Sequence, residues 1–552
     1  MIRLEYWVSV ALDGATLYAT TAETEGDLLV GGVRQRFRPT LRVGEISQAF
    51  AAFDSASPSP PATCRVTLVN QDGWLNEFLG FGAHARTWDN RIVTIKYRQS
   101  DATILSSFES LAMEMTGRVS RGTLRHTRDD VSFDVYDIRY GHNRPVLSAA
   151  FDDGTYPNAH DDAKGRYIPL VFGDFTQGIL PAQIGGVSPG RLPAFCTDTA
   201  ATAYPFKAAN HAISDMAVFW FDASAGTVVQ LGGGDYTATT GGFTLSALQS
   251  AATDIASDRY TVNCKGRSAV RLVSGGSGVL ESAADIMADL LVTFGGAVYG
   301  TDFDGIGWSA AHTTGDQHPN RRWIGEQTTV MEAVSQIAFE NSYLFFTNPE
   351  RYKLIFNLPS RTVVADVRDV DPLVDSVESV YDPDSSYVNQ IYVYFDPDVS
   401  GGDGAERRGN VRIDNATAQT EYGAVVSGEF DFWWLWNKEN VSLQSERKLF
   451  VLSSRMHYVD FDLAANDPNS PFWRLTLSDV IRLSHWQYAA APLQVWSIVR
   501  DAQTGKIALR TLAVQDVFQV WQWSGIANGA DVTYPMRWND AAVTKSPAGR
   551  WF

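Results

Sequence analysis

The chain has 552 residues, 45% hydrophobic and 20% charged, with a formal net charge of −18. That length exceeds a single hydrophobic core and sets a prior of roughly three to five domains. The acidity argues against a protein that grips duplex DNA through a basic face, and is compatible with one that DNA slides past.

In chain order, residues 3–10 alternate apolar and polar, and Asp13-Gly14 turns the chain into 15–21, a hairpin of the Asp-Gly type. Residues 33–43 and 64–69 read as strands, separated by the Pro/Ser loop 55–61. Residues 91–97, 108–119 and 131–137 complete a mostly β region, and turns at short intervals favour a sandwich or barrel. Phe151 to Asp174, FDDGTYPNAHDDAKGRYIPLVFGD, follows. Asp152-Asp153-Gly154 and Tyr156-Pro157 are turn chemistry, 158–165 is too polar to bury, and 167–172 is a short apolar run stopped by Gly173-Asp174. This is either a crossing segment that adds a strand to another unit or an ordinary surface loop.

Residues 200–267 read as a small inserted β domain, with strands at 217–221, 227–231 and 235–239 between Gly232-Gly-Gly234 and Gly241-Gly242. No Gly-Lys-Ser/Thr follows these glycines, so hairpin turns explain them better than a phosphate loop. Residues 282–292 and 329–339 carry apolar stripes at helical spacing; Thr329 and Glu332 form a capping box. Strands at 343–347 and 352–357 turn at Asn348-Pro349, giving an α+β module. Residues 390–395 are a strong strand, 396–410 a polar loop leaving the body, and 439–456 a helix with Val441, Ser445, Lys448, Leu449 and Leu452 near one face. A strand over 474–483 and a hairpin, 493–499 to 507–514, turned at Gln503-Thr504-Gly505, close the region. The last stretch carries Trp521, Trp523, Trp538, Trp551 and Phe552 with glycines and prolines between them. Large rings on a pliable backbone suit an arm that orders on a neighbour, or a lid on its own chain.

The segment 151–174, following Arg144-Pro145, resembles a stretch of the hub proteins at the distal end of long non-contractile phage tails and of their gene-transfer-particle relatives. Arg474-Leu-Thr-Leu-Ser-Asp-Val-Ile-Arg-Leu-Ser484 resembles that family's "L-x-x-G-D-V-V-x-L-T" signature, with Ser478 where the family usually has Gly. Residues 108–137 and the helix at 330–338 resemble it too. The resemblance implies a mainly β fold with an α+β module, multi-domain, with barrel- or sandwich-like hub domains. The divisions read from the sequence are 1–145, a β hub domain; 146–199, the crossing segment; 200–267, the insert; 268–360, the α+β module; 361–518, a second β hub domain with a helix; and 519–552, the arm.

By the same resemblance the chain is a structural virion protein, the hub of the tail tip or baseplate. It forms a homotrimer whose six β hub domains match a sixfold tube. Its partners are the distal tail or tube protein, the tape-measure protein and tail fibres or a spike, and genomic DNA passes without specific binding. The alternatives are a carbohydrate-binding adhesin of the tail and a tail-associated cell-wall hydrolase.

Little catalytic chemistry stands out. Cys64, Cys196 and Cys264 fit no metal spacing and read as reduced, mostly buried thiols of a chain made in the host cytoplasm. The nine histidines form no cluster, and no H-E-x-x-H is present. Ser277, in Gly275-Gly-Ser-Gly-Val279, lacks the last Gly of a nucleophile elbow. Asp152, Asp153, His160, Asp161 and Asp162 crowd one loop, and Asp396, Asp398 and Asp403 another; neither has a calcium loop's alternate ligands and distal Glu. They read as solvated turn carboxylates, and no catalytic residue, metal or cofactor is assigned. Charges in Met1–Trp7 oppose a signal peptide. No run approaches the roughly 18 apolar residues of a membrane span, the most apolar short one being Phe432-Trp-Trp-Leu-Trp436.

Overall fold

Period-two burial organises most of the chain: in the strand Asp130–Asp137, Val131, Phe133 and Val135 are fully buried while the residues between them are not. The computed structural model describes residues 4–513 apart from 52–54, 80–86, 100–106, 179–186, 223, 247–254, 316–317, 349, 357–361, 369–370, 372–376, 382–386, 400–405, 454–456, 465–470, 486–487 and 502. The arm, with Trp521, Trp523, Trp538, Trp551 and Phe552, lies outside the described residues, and so does Asp403.

The principal sheet has 14 strands. Its main path runs Ala15–Thr20, Leu4–Leu12, Ile92–Gln99, Ala112–Val119, Asp130–Asp137, Thr63–Val69 and Leu41–Ala49, then Tyr488–Asp501, Lys506–Ala513, His457–Ala464 and Glu378–Tyr381. The N-terminal and C-terminal β regions thus share one sheet. They meet where Leu41–Ala49 pairs antiparallel with Tyr488–Asp501, with Ser497 opposite Ala49 and Arg500 opposite Ile46. A single apolar cluster runs beneath both, including Tyr6, Val66 and Phe133 from one region and Phe461, Ile481 and Leu509 from the other. The sheet stays open among the described residues, with Ala15–Thr20 and Glu378–Tyr381 at its two ends. The Asp13-Gly14 hairpin forms as its composition dictates: Leu12 pairs with Ala15, and Gly14 takes the positive φ of 69° that the turn demands.

Residues 192–265 build two further four-stranded sheets, closed over a core of aromatics in which Phe206 stacks on Phe243 at 4.9 Å. The module after it holds the helices Ala283–Asp289 and Val330–Glu340 and the hairpin Tyr343–Asn348 with Arg351–Phe356. Thr329 caps its helix as expected: its hydroxyl accepts from the Glu332 N–H, and the Glu332 carboxylate accepts from the Thr329 N–H.

Four local readings need correcting. Residues 33–43 are two strands, Val33–Phe37 and Leu41–Ala49, because Pro39 has no N–H for the ladder. The helix expected over 282–292 is α-helical only to Asp289, then continues as a π turn, Leu290–Phe294, ended by Gly295 and Gly296. Residues 474–483 are not one strand: a 3-10 turn, Pro471–Arg474, and a bend precede the strand Val480–His485. The loop read over 396–410 is strand at both described ends, since Gln390–Asp398 and Glu406–Asp414 pair through Asp398 and Glu406; 400–405 lie outside the described residues.

Candidate functional site

The stretch 151–174 lies on a seam between two cores. Its short strand Leu170–Phe172 pairs antiparallel with Arg322–Ile324. Leu170 and Phe172 face the module's core, while Val171 between them faces the core of the inserted sheets. Period two sends alternate side chains to opposite faces, so one strand closes both. Gly173, φ 79°, follows at once; a Cβ there would lie 2.2 Å from the Asn320 carbonyl oxygen and 2.6 Å from the Arg321 Cα. Only glycine lets the backbones approach this closely.

Arg321 occupies the centre of the seam, almost wholly buried. Its guanidinium donates to the Asp396 carboxylate at 2.6 Å, to the Gln177 carbonyl at 2.5 Å and to the Asp174 carbonyl at 3.3 Å. It lies over the rings of Trp436, 4.3 Å to the centroid, and Phe175, 5.0 Å. Burial pulls its basicity down and the neighbouring Asp396 opposes the fall. Asp396 is itself 3% exposed, at a φ of 53°. The expectation that Asp396 is a solvated loop carboxylate is therefore overturned: a buried cation has recruited it, which is how an ionised carboxylate is tolerated away from water. Asp398 pairs with Arg408 at 2.7 Å on the same edge.

Beside it, Phe432-Trp-Trp-Leu-Trp436 wraps the end of the helix Val330–Glu340. The fully buried Glu340 carboxylate accepts backbone N–H bonds from Trp433, Trp434 and Leu435 at 2.6–2.9 Å and one from the Gln336 amide. Burial raises its pKa and these four bonds oppose the rise. Lys448, on the helix Lys438–Ser453, donates to the Phe339 carbonyl and sits 3.5 Å from the Phe339 ring centroid. Burial lowers its pKa to about 7, with Glu340 acting against that. Arg322 is depressed to about 10 by burial and lies 5.3 Å from the Trp433 ring centroid, with Arg407 at 4.1 Å from the same ring.

This arrangement holds segments together. Its carboxylates are committed to backbone N–H groups and guanidinium groups, which suits positioning rather than proton transfer to a substrate. The loop carboxylates are committed as well. Asp152 accepts from Gly154 and Thr155 N–H in an Asx turn, Asp161 pairs with Lys164, and Asp162 accepts from His160 at 2.7 Å. No group of three or more metal-ligating side chains occurs among the described residues. Cys196 and Cys264 are buried, with burial raising their pKa values to about 11 and about 12, unsuited to a nucleophile. No helix among the described residues is long and apolar enough to cross a membrane.

The sequence reading passed over Arg321 and Glu340, and placed Lys448 on a helix face without a role. The available signal was charge in apolar company: Arg321-Arg322 directly before Trp323-Ile324, and Glu340 at the end of an otherwise apolar stripe.

The second resembling stretch keeps its turn. Ser478, where the family usually has Gly, adopts φ 72°, and its N–H donates to Val495 O at 2.9 Å.

Against known proteins, no family model matches the chain, and no curated protein matches it. The solved structures that resemble it include tail proteins and a gene transfer agent virion. A tail protein from Neisseria meningitidis MC58 matches with a TM-score of 0.42 and 7% identity, over 93% of this chain and 98% of that one. The 43 kDa tail protein of prophage MuSo2 from Shewanella oneidensis gives 0.41 and 7%, over 92% and 98%. A chain of the native gene transfer agent virion gives 0.42 and 12%, over 65% and 87%. At these TM-scores the likenesses carry no argument about what this chain does.

Proposed function

We propose that this chain is a structural protein of a phage tail and, more finely, the hub of its tip. The observation that carries the reading is the pairing of Leu41–Ala49 with Tyr488–Asp501. It sets two β units, remote in sequence, side by side in one sheet. Two such units per chain suit the resemblance stated from sequence, in which three chains present six to a sixfold tube. The buried networks support a mechanical role, since Arg321 ties the crossing segment, at Asp174 and Gln177, to Asp396, and Glu340 ties its helix to Trp433, Trp434 and Leu435. In this reading the chain joins the tube to the tip, holds fibres or a spike, and lines part of the channel through which DNA leaves. The arm, 519–552, docks on a neighbour through Trp521, Trp523, Trp538, Trp551 and Phe552.

Immunogold electron microscopy of intact particles with an antibody against this chain tests the placement. Label at the distal end of the tail is expected; label on the head, or none on particles, overturns the reading. Mass by light scattering on the released tip tests the trimer, and a monomer or dimer there overturns it. Deleting 519–552 should leave the isolated chain's melting temperature unchanged while blocking incorporation into tails. A collapse of stability would assign the arm to the chain's own core.

A further inference from the structure

A cleft of about 510 Å³ opens between the N-terminal sheet, the turn after Asp137 and the helix Val330–Glu340. Small-ligand sites typically fall between about 300 and 1,000 Å³ and combine an apolar lining with a few placed polar groups. This cleft has that composition. Its apolar surface comes from Pro58, Pro61, Met331 and Phe345, together with the ring of Tyr140, which stacks on Tyr136 at 5.3 Å. Its polar surface comes from Asp89, Asn90, Arg121 and Asn143.

The polar groups keep capacity in reserve. One Asp89 oxygen accepts from the Gly122 N–H, and the other has no partner among the described residues. The Arg121 N–H donates to the Tyr140 hydroxyl, while its guanidinium has no hydrogen bond or ion pair among the described residues. The Asn143 oxygen accepts from Met331 N–H at 3.2 Å, which leaves its NH₂ free to donate. The wall is pre-formed. Arg139 pins the Pro/Ser loop by donating to the carbonyls of Ser59 and Pro60, and is itself held by Asp137 at 2.6 Å.

We propose that this cleft binds a saccharide. A hydroxylated ring both gives and accepts hydrogen bonds, so it satisfies Asp89 as well as Arg121 and Asn143, and its C–H face packs on Tyr140 and the prolines. A phosphate-bearing ligand would meet the Asp89 carboxylate. A wholly apolar one would leave Asp89 and Arg121 desolvated and unpaired, at a cost. An extended peptide asks for a free strand edge or a ridged groove, whereas most of this lining comes from loops, the short helix Ile138–His142 and one face of the helix Val330–Glu340. The inference does not rest on the placement in a phage tail, and its test is independent of it.

The test is binding of the full-length chain to an immobilised array of bacterial-type oligosaccharides, followed by titration of the best soluble saccharide. Binding is expected, and Tyr140→Ala or Asp89→Asn should weaken it at least tenfold. Arg121→Gln does the same without touching any described contact of the guanidinium, so its melting temperature should match the parent's. A blank array overturns the proposal. So does saccharide binding that all three variants retain, because the site would then lie elsewhere. Binding to a tripeptide array that Tyr140→Ala abolishes, with the saccharide array blank, would reassign the cleft to peptides.

Discussion

Glu114 and Arg500 meet at 3.5 Å in the interior, 3% and 6% exposed, one from each of the two β regions that share the principal sheet. Arg500 also donates to the carbonyls of Trp473 and Leu475, and the Trp473 indole N–H donates to Glu114 at 3.1 Å. Burial raises the Glu114 pKa, and Arg500 and Trp473 pull it back. The pair therefore joins the regions at a desolvation cost, and what it supplies is register rather than net stability. Arg500→Met, which strands a buried carboxylate, should cost about 3–5 kcal/mol. The double variant Glu114→Leu/Arg500→Met should recover most of it. Denaturant unfolding of the three proteins checks this; a double variant no better than Arg500→Met would show that the pair is not coupled.

Gly173 and Gly165 both have positive φ, 79° and 74°, yet they should respond differently to alanine. At Gly165 nothing lies within 4 Å of an added Cβ, so Gly165→Ala should cost about 1 kcal/mol, the left-handed penalty alone. At Gly173 the Cβ would strike the backbone of Asn320 and Arg321, which cannot rotate away. Gly173→Ala should separate the strand Leu170–Phe172 from Arg322–Ile324 and cost well over about 3 kcal/mol, as other severe core lesions do. Melting temperatures of the two variants side by side decide it, and equal losses would refute the seam.

Ser478 holds a φ of 72° without being glycine. Ser478→Gly relieves the left-handed strain but adds unfolded-chain entropy, so its net effect should lie within about 1 kcal/mol of zero on the stabilising side. Ser478→Val, β-branched at the same φ, should lose about 2 kcal/mol. Thermal unfolding measures both, and a Val variant as stable as the parent would mean the turn relaxes.

Lys448 gives a pH signature. Its folded pKa of about 7 lies below the unfolded lysine value of about 10.4. Between these values the unfolded chain binds the proton and the folded chain does not. Stability should therefore rise with pH across that window, with the penalty of the buried ammonium fully present below it. Lys448→Met removes the titrating group. Unfolding free energies at pH 6, 7.5 and 9 should climb in the parent and climb less in the variant; parallel slopes would show that Lys448 does not titrate there.

The strands and the capped helix were readable because local chemistry fixes them. Val131, Phe133 and Val135 alternate, Asp13-Gly14 supplies a turn residue that tolerates positive φ, and Thr329 with Glu332 closes a helix end within four residues. The same local reading failed at Asp396. Asp-Pro-Asp followed by glycines is turn chemistry in isolation, and nothing nearby in sequence announces that Arg321 is waiting for a carboxylate. The β composition of both ends of the chain was likewise plain, while their union into one sheet depends on backbone edges at Leu41–Ala49 and Tyr488–Asp501, whose hydrogen-bonding groups are the same for any side chain. Periodicity and turn residues are properties of neighbours along the chain, so the sequence by itself determined the elements. Buried ion pairs, shared sheet edges and the cleft beside Tyr140 are properties of neighbours in space, and they were decided only when the tertiary structure chose which surfaces to remove from water.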